Sequence, residues 1–300
     1  MTNPTARAPS DIWTLERMLQ WGTGYLKRSG SPSARLDAQL LIGHACDLDK
    51  VQLYVQFERP LTAAELDTLR ALFKRRAAGE PVAYILGEKE FHQRAFLVNT
   101  SVLVPRPETE HLVDAVLEYL DGHDLPNPNL VDVGTGSGCI AVTLAAQWPE
   151  ATVLAIDTAA DALQVAAQNA ERHGVRDRVK LAQGHLLDPI QSIDSVNVVV
   201  SNPPYLDATL MSTLPQDIRD FEPIGALDGG PDGLDLIRDL VADAPRVLKT
   251  GGLLAMEVAH DEQAAAVQAL LDNQPALSFQ QIIPDYAGIG RVVTALKEQP

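Results

Sequence analysis

The pattern of apolar and polar residues divides the chain into a helical first part and a longer second part in which strands and helices alternate. In residues 11–86 the apolar side chains recur three or four positions apart, as at Leu15 and Met18, which is the spacing of an amphipathic helix. The sequence TAAE at residues 62–65 has the pattern of a capping box, which favours a helix start. We therefore predict a small N-terminal helical bundle domain over residues 1–86.

The pattern changes at residues 87–105, where short apolar runs replace the helical spacing. Runs at 90–92, 95–98 and 102–104 predict a short β-hairpin, and the polar residues 99–101 are expected near a turn. We interpret this segment as a β-hairpin linker between two domains.

Beyond the linker, a helical segment is followed by a regular alternation of strand and helix patterns, which predicts an α/β domain over residues 106–300. Runs typical of buried strands stand at 129–133, 152–156, 178–182, 196–200, 252–258, 278–283 and 291–296. A short link joins the last two runs, so these strands should pair antiparallel at one edge. The predicted fold is a Rossmann-like, doubly wound sheet of about seven strands. One connection, from Leu206 to about Asp232, has the length of a functional lid or a disordered segment.

The composition is that of a packed globular protein. Of the 300 residues, 46% are hydrophobic, which is enough for packed cores. No apolar run approaches the ~18 residues of a membrane span, and Met1–Pro9 lacks a signal-peptide core and should form a short disordered tail. The two cysteines, Cys46 and Cys139, lie far apart in the sequence, which favours free thiols in a reducing compartment over a disulfide. We predict a cytoplasmic protein with no membrane partner, and no metal site because the histidines lack ligand spacing.

The charge of the chain is uneven. Residues 1–86 carry 11 Lys/Arg and 9 Asp/Glu, a net charge of +2, whereas residues 87–300 carry 13 and 31, a net charge of −18. A second part this acidic is a poor surface for nucleic acid, because phosphate binding rests on clustered Lys and Arg. The slightly basic first part could instead meet an acidic protein partner.

A glycine-rich turn follows the first strand of the α/β domain, where the sequence DVGTGSG at Asp132–Gly138 leads into a helix. Glycines let the backbone approach a ligand closely, and the helix N-terminus offers free N–H groups to an anion. The next strand ends in Asp157, where an acid can accept hydrogen bonds from both ribose hydroxyls. This combination predicts a nucleotide-like cofactor, and a purely structural turn with Asp157 as a helix cap is the alternative.

The motif Asn202-Pro203-Pro204-Tyr205 follows a run that is predicted to be a buried strand. Its two prolines end the strand and stiffen the exit, at the edge where open α/β sheets bind ligands. A carboxamide held there can hydrogen-bond another planar NH2 group, and an aromatic ring can stack on that group. The motif therefore predicts a substrate nitrogen attached to a planar carbon, in an amide or an amino-base.

Together these motifs resemble one family, the protein-(glutamine-N5) methyltransferases of class I peptide release factors, also called the PrmC/HemK family. The glycine turn resembles the first signature motif of the class I methyltransferases and differs from the dinucleotide pattern Gly-x-Gly-x-x-Gly. The resemblance covers nearly the whole chain. The matching stretches are Gly79–Gly87, Glu90-Phe91, Pro105–Glu110, Asp132–Gly138, Asn202–Tyr205, Phe221–Pro223 and Arg291–Val293.

The resemblance implies S-adenosyl-L-methionine as the cofactor, and as the substrate the glutamine of the Gly-Gly-Gln motif in class I release factors. The cofactor-binding residues that it implies are Asp132, Gly134, Thr135, Gly136, Ser137, Gly138, Asp157, Leu186 and Asn202. It implies that Asn202, Pro203, Pro204 and Tyr205 bind the glutamine, with Asn202, Pro203 and Tyr205 as catalytic residues.

One position departs from the family pattern. Gly184-His185-Leu186 stands after the third strand, where many relatives have Gly-Asp followed by an aromatic residue. That region usually contacts adenine. Either His185 or Asp188 takes over this contact, or His185 is a solvated loop residue.

We hypothesise that the Asn202 side-chain oxygen and the Pro203 carbonyl accept the two N–H groups of the substrate amide, while Tyr205 stacks on its plane. Arg106 either reaches the cofactor pocket or pairs with Glu108 or Glu110.

Two further acids have weaker assignments. Glu222 is interpreted as a solvated loop acid, with bracing of the 206–232 connection as the alternative. Glu257, at the end of the fifth strand, is expected to support the site or the fold without touching substrate.

Three alternatives remain open for the function. A ribosomal-protein glutamine methyltransferase uses the same chemistry. A nucleic-acid adenine-N6 methyltransferase would need a basic groove and an extruded or single-stranded base. A binding module without catalysis would not need Asn202 or Asp157. We expect a monomer that has a release factor as its protein partner and does not bind nucleic acid.

Overall fold

A computed structural model describes residues 12–299. The chain forms two compact units. The first holds the described residues up to Gly87 together with Gln216–Phe221, and the second holds the rest of the chain from Glu88 onward. The expected N-terminal tail, Met1–Pro9, lies outside the described residues.

The first unit is helical, as its periodic pattern predicts. Its N-terminal helices are α1 (Leu15–Arg28), α2 (Ala34–Cys46), α3 (Lys50–Val55), α4 (Ala63–Ala77) and α5 (Val82–Leu86). Their apolar faces form one core that includes Leu15, Leu41 and Leu69. The predicted capping box is present at the start of α4, where the side chains of Thr62 and Glu65 each bond the other residue's backbone N–H.

A buried ion pair links two helices of this unit. The Asp37 carboxylate of α2 is 4% exposed and the Arg76 guanidinium of α4 is 7% exposed, and Arg76 Nε lies 2.7 Å from Asp37 Oδ2. The hydroxyls of Ser31 and Ser33 also donate to this carboxylate, each at 2.7 Å. Arg76, in the last turn of α4, therefore holds this helix to α2.

The second unit begins with an antiparallel hairpin of β1 (Glu88–Phe91) and β2 (Arg94–Leu97). Its turn lies at His92 and Gln93, whose φ angles are +47° and +60°. A turn is also present at the predicted residues 99–101, where the Val102 N–H donates to the Asn99 carbonyl at 3.2 Å, but it follows the hairpin and does not close it. A long-range contact supports the hairpin turn, because the backbone N–H of His92 donates to the Glu110 carboxylate at 2.8 Å and holds this left-handed turn without glycine.

The rest of the second unit is built on one sheet of seven strands. They are β3 (Asn129–Val133), β4 (Thr152–Asp157), β5 (Val179–Gln183), β6 (Val196–Ser201), β7 (Leu248–Glu257), β8 (Leu277–Pro284) and β9 (Gly290–Lys297). The spatial order is β5-β4-β3-β6-β7-β9-β8. Strands β3 to β7 pair parallel, and β9 pairs antiparallel with both β7 and β8. The predicted seven-stranded α/β fold and its antiparallel edge are confirmed.

Helices cover both faces of this sheet. They are α6 (Glu110–Asp121), α7 (Cys139–Gln147), α8 (Ala160–Arg172), α11 (Asp235–Val247) and α12 (Asp261–Asp272). Successive residues of β6 enter opposite cores: Val198 and Val200 pack with α6 and α7, and Val199 packs with α11 and α12. None of the helices in the described part of the chain is both long and apolar enough to cross a membrane.

The connection that follows β6 contains helical turns. It holds α9 (Ala208–Ser212), α10 (Gln216–Phe221) of the first unit, and a 3-10 turn at Ile224–Ala226. Its two ends are joined, because Leu206 N donates to the Leu227 carbonyl and Gly229 N donates to the Leu206 carbonyl, each at 2.9 Å.

Candidate active site

A cavity of about 210 Å³ opens in the second unit at the carboxyl ends of β3, β4 and β6. The predicted site residues that line it are Gly134, Gly136, Asp157, Leu186, Asn202, Pro203 and Pro204. The other predicted residues do not line it; they are Asp132, Thr135, Ser137, Gly138 and Tyr205. The site is thus at the sheet edge where open α/β folds bind ligands.

The glycine loop is pinned to the neighbouring strand by its backbone. The N–H groups of Gly134 and Thr135 both donate to the Ile156 carbonyl of β4 at 2.9 Å. At Gly138, with φ +77°, a Cβ atom would lie 3.0 Å from Ala166 Cβ of α8. This glycine lets α8 pack close to the loop, and a larger residue would push the two apart.

Asp157 is placed to serve the loop and the cavity at once. Its Oδ2 accepts the Gly136 N–H at 2.9 Å, and its Oδ1 accepts the Ala159 N–H at 2.9 Å. A carboxylate has about four acceptor positions. Lone pairs therefore remain for hydroxyl donors in the cavity that it lines.

Asp132 lies beneath the loop and is fully buried. Its Oδ2 accepts the Thr135 hydroxyl at 2.6 Å and the Ala141 N–H at 3.2 Å. Burial raises the pKa of this carboxyl to about 7. In this position Asp132 shapes the loop and the start of α7 instead of reaching into the cavity.

Asn202 directly follows β6, and only one end of its side-chain amide is hydrogen-bonded within the protein. Ser201, the residue before it, donates from its hydroxyl to the Val133 carbonyl at 2.8 Å and ties the ends of β6 and β3 together. The Asn202 Nδ2 donates to the Thr109 hydroxyl oxygen at 3.1 Å. Its Oδ1 has no hydrogen-bond partner among residues 12–299 and is available to a ligand in the cavity that Asn202 lines.

Tyr205 is fixed at both its backbone and its hydroxyl. The Gln263 side chain donates to the Tyr205 carbonyl at 2.9 Å, and the Tyr205 hydroxyl donates to Glu257 Oε1 at 3.1 Å. Burial raises the pKa of Tyr205 well above its ordinary range. A Cβ at Gly233, with φ +74°, would lie 2.3 Å from the Tyr205 carbonyl oxygen, so the end of the 206–232 connection packs tightly on this motif.

One acid, Glu222, and one base, Arg106, differ from the sequence expectations. Glu222 is buried, not solvated, and accepts the Val104 N–H at 3.2 Å and the Arg106 guanidinium at 2.5 Å. Arg106 therefore pairs with Glu222, and neither alternative offered for it is seen. This pair joins the segment before α6 to the middle of the 206–232 connection.

Several cavity residues were not predicted. Ser101, Val102 and Leu103 line the cavity although their segment was assigned to the linker, and so do Gly225 and Ala226 of the 3-10 turn. No local pattern marks them, because their place depends on how distant segments pack.

Of the two residues considered for contact with adenine, the structure places only one at the cavity. His185 lines the cavity and Asp188 does not. Among the described residues, no three His, Cys, Asp or Glu side chains are grouped as metal ligands.

The comparisons with known proteins agree with this geometry. A sequence model described as a methyltransferase domain matches residues 125–295, and one described as the PrmC N-terminal domain matches residues 17–87. The fold, the glycine loop after β3 and the acid at the end of β4 define an S-adenosyl-L-methionine-dependent class I methyltransferase.

The relatives narrow this class to one family. A release factor glutamine methyltransferase from Rhodopirellula baltica is 38% identical over 95% of this chain and 97% of its own length. Another from Moorella thermoacetica is 41% identical over 95% of this chain and 99% of its own. A release-factor-specific protein-(glutamine-N5) methyltransferase structure from Alicyclobacillus acidocaldarius is 30% identical and covers 68% of this chain and all of its own, with a TM-score of 0.40. The chain belongs to the release factor glutamine methyltransferase family.

Proposed function

We propose that the protein transfers a methyl group from S-adenosyl-L-methionine to the side-chain amide nitrogen, N5, of the glutamine in the Gly-Gly-Gln motif of class I release factors. The observation that carries this proposal is the free Oδ1 of Asn202, on rigid backbone at the cavity, beside the glycine loop. The relatives that match nearly the full chain are named for the same reaction.

The residues around the cavity suit the proposed cofactor. Gly134 and Gly136 bring bare backbone to the cavity wall, and Asp157 brings a carboxylate with free lone pairs for ribose hydroxyls. His185 and Leu186 complete the wall after β5, where adenine is expected. Four further residues fix the shape of the glycine loop and so affect cofactor binding indirectly; they are Asp132, Thr135, Ser137 and Gly138.

Gly134, Gly136 and Asp157 would hold S-adenosyl-L-methionine, which would supply a methyl group already activated on a sulfonium sulfur and would be left as a neutral thioether once the methyl group is on nitrogen. Asn202 Oδ1 and the Pro203 carbonyl accept the two N–H groups of the glutamine amide and direct its nitrogen lone pair. Tyr205, with Pro204 beside it, packs against the amide plane. The same two oxygens stabilise the positive charge that develops on nitrogen until one proton leaves to water.

Asp157→Asn is expected to raise the dissociation constant of S-adenosyl-L-methionine roughly tenfold or more, since hydrogen bonds to a charged acceptor contribute about 1.5–3 kcal/mol. Titration calorimetry measures this constant. Asp161→Asn, an exposed acid in the first turn of α8, is the matched control and should bind as wild type does. Unchanged affinity in Asp157→Asn would leave Asp157 as a structural cap only.

The substrate is tested by transfer of tritiated methyl groups to intact release factor, a free Gly-Gly-Gln peptide, ribosomal protein and nucleic acid. We expect label in the release factor and none in a factor whose motif glutamine is replaced. We propose that the helical domain, residues 1–86, recognises the partner, so the intact factor should be a better substrate than the peptide. Label only in ribosomal protein or nucleic acid would contradict the proposal.

We also propose a cytoplasmic monomer that acts without nucleic acid. The net charge of −18 over residues 87–300 supports the absence of nucleic acid, and the free thiols of Cys46 and Cys139 suit a reducing compartment. Light scattering at working concentration should give the mass of one chain, 32.4 kDa.

A further inference from the structure

Asn169 is a buried polar side chain of α8 that does not line the cavity and that the proposed reaction does not yet use. It is 0% exposed, and it lies inside a helix, where asparagine is a weaker helix former than leucine or alanine. Burial of an amide costs free energy unless the amide is hydrogen-bonded. The bonds that the Asn169 amide makes therefore have to account for its place.

The Asn169 carboxamide bonds to two segments that are distant from it in the sequence. Its Nδ2 donates to the Ser137 carbonyl of the glycine loop at 2.8 Å and to the Leu97 carbonyl at the end of β2 at 3.0 Å. Its Oδ1 accepts the Leu97 N–H at 2.7 Å. Both N–H groups are thus used, and a flipped amide would set its oxygen against two carbonyl oxygens. The three bonds therefore fix one orientation of the amide.

The bond to Ser137 holds the second half of the glycine loop to α8. The first half is held separately, because the N–H groups of Gly134 and Thr135 donate to a carbonyl of β4. Ala166, three residues before Asn169 in α8, is the residue that a Cβ at Gly138 would approach to 3.0 Å. The helix thus contacts the loop both by close packing and by a hydrogen bond.

The two bonds to Leu97 fix the start of another part of the cavity lining. The chain after Leu97 makes a turn at residues 99–102, and residues 101–103 line the cavity. The far end of this segment is held at Val104, whose N–H donates to the Glu222 carboxylate at 3.2 Å. The lining segment is therefore anchored at both ends, and its first anchor is the Asn169 amide.

We propose that Asn169 is a positioning residue for the cofactor, because its single amide sets the glycine loop and residues 101–103 in place relative to each other. Both parts of the lining are bonded to the same side chain, so the cavity is preorganised before the cofactor binds. Asn169 acts through Ser137 and Leu97. This inference rests on the proposed function, because it takes S-adenosyl-L-methionine as the molecule that the cavity holds.

The substrate motif is held by other contacts. The Asn202 side chain donates to Thr109, and the Tyr205 carbonyl accepts a hydrogen bond from Gln263. Loss of the Asn169 amide should therefore weaken the cofactor site and leave the release factor site in place.

Titration calorimetry with S-adenosyl-L-methionine compares wild type with Asn169→Leu and with the matched control Asn197→Leu. Asn197 is also buried, and its Oδ1 accepts the Asn129 N–H at 3.0 Å, but it lies at the amino end of β6, away from the cavity. Both substitutions should lower the melting temperature. Only Asn169→Leu should raise the dissociation constant of the cofactor, roughly tenfold or more, for the loss of several buried hydrogen bonds.

Kinetics of methyl transfer to intact release factor separate the two binding sites. Asn169→Leu should raise the KM of the cofactor by the same factor, while kcat at saturating cofactor and the KM of the release factor stay within about twofold of wild type.

Asn169→Asp is the second variant, because aspartate has the size and shape of asparagine but replaces the NH2 donor by an oxygen. It should weaken cofactor binding at least as much as Asn169→Leu at neutral pH, since its carboxylate faces two carbonyl oxygens. If Asn169→Leu does not fold, Asn169→Asp alone decides.

Two outcomes would overturn the inference. One is wild-type cofactor affinity in Asn169→Leu or Asn169→Asp. The other is an equal loss of affinity in Asn169→Leu and Asn197→Leu, because the effect would then follow from stability alone. A wild-type protein that does not bind S-adenosyl-L-methionine would instead contradict the proposed function.

Discussion

Replacement of Asn202 by alanine is expected to lower kcat for methyl transfer by roughly 10²–10³-fold, the loss typical of removing one preorganised hydrogen-bonding group at a reacting centre. The Asn202 Nδ2 is already held by Thr109 at 3.1 Å, and the backbone is fixed by Ser201 on one side and Pro203 on the other. The Asn202 Oδ1 is therefore preorganised to accept a hydrogen bond before the substrate binds. Its loss should affect kcat more than KM, because alignment matters most in the transition state.

Radiolabel transfer at saturating cofactor and release factor measures this effect. Asn273→Ala removes an exposed asparagine at the end of α12 and serves as the matched control. Melting temperature and cofactor affinity should be those of wild type in both variants. If Asn202→Ala weakened cofactor binding but kept kcat at saturation, Asn202 would be a cofactor ligand and not the residue that orients the amide.

The sheet and the position of the site could be predicted because their signals are local. The apolar run predicted at residues 129–133 coincides with the observed strand β3. The glycine turn follows β3 directly, and the Asn-Pro-Pro-Tyr motif follows β6 directly. Parallel strands bring their carboxyl ends to one edge, so two motifs about 70 residues apart meet there. Strand β7 begins at Leu248, earlier than residue 252, because a register shift lets Leu248 pair with Val196.

The contacts between distant segments could not be predicted in the same way. Arg106 has acids two and four positions away, yet it pairs with Glu222, 116 positions along the chain. Thr109 reaches Asn202 across 93 positions. Such pairings depend on how distant segments pack in the folded protein. The strands and motifs that form a site can therefore be predicted from one sequence, whereas the residues that contact and support the site residues cannot.

Arg76→Met is expected to lower the free energy of unfolding of the helical unit by about 3–5 kcal/mol, the usual cost of removing one partner from a buried ion pair. The substitution leaves the Asp37 carboxylate, 4% exposed, with only the Ser31 and Ser33 hydroxyls as donors. It also removes the guanidinium that lies 3.6 Å from the Asp217 carboxylate of α10. The effect should be a loss of stability in this unit without a change in cofactor affinity.

Unfolding by guanidinium chloride can be followed for this unit alone. The protein has three tryptophans, of which Trp13 and Trp21 are in the helical unit, so a Trp148→Phe background confines the fluorescence to it.

The double variant Asp37→Leu with Arg76→Met is the decisive control. Apolar side chains in place of both charges need no hydrogen bonds, so its stability should return to within about 1–2 kcal/mol of the background protein. If the double variant were as unstable as Arg76→Met alone, the cost would come from the other contacts of Arg76, which include its bonds to the Gly79 and Glu80 carbonyls at 3.3 and 3.2 Å, and not from the unpaired Asp37 charge.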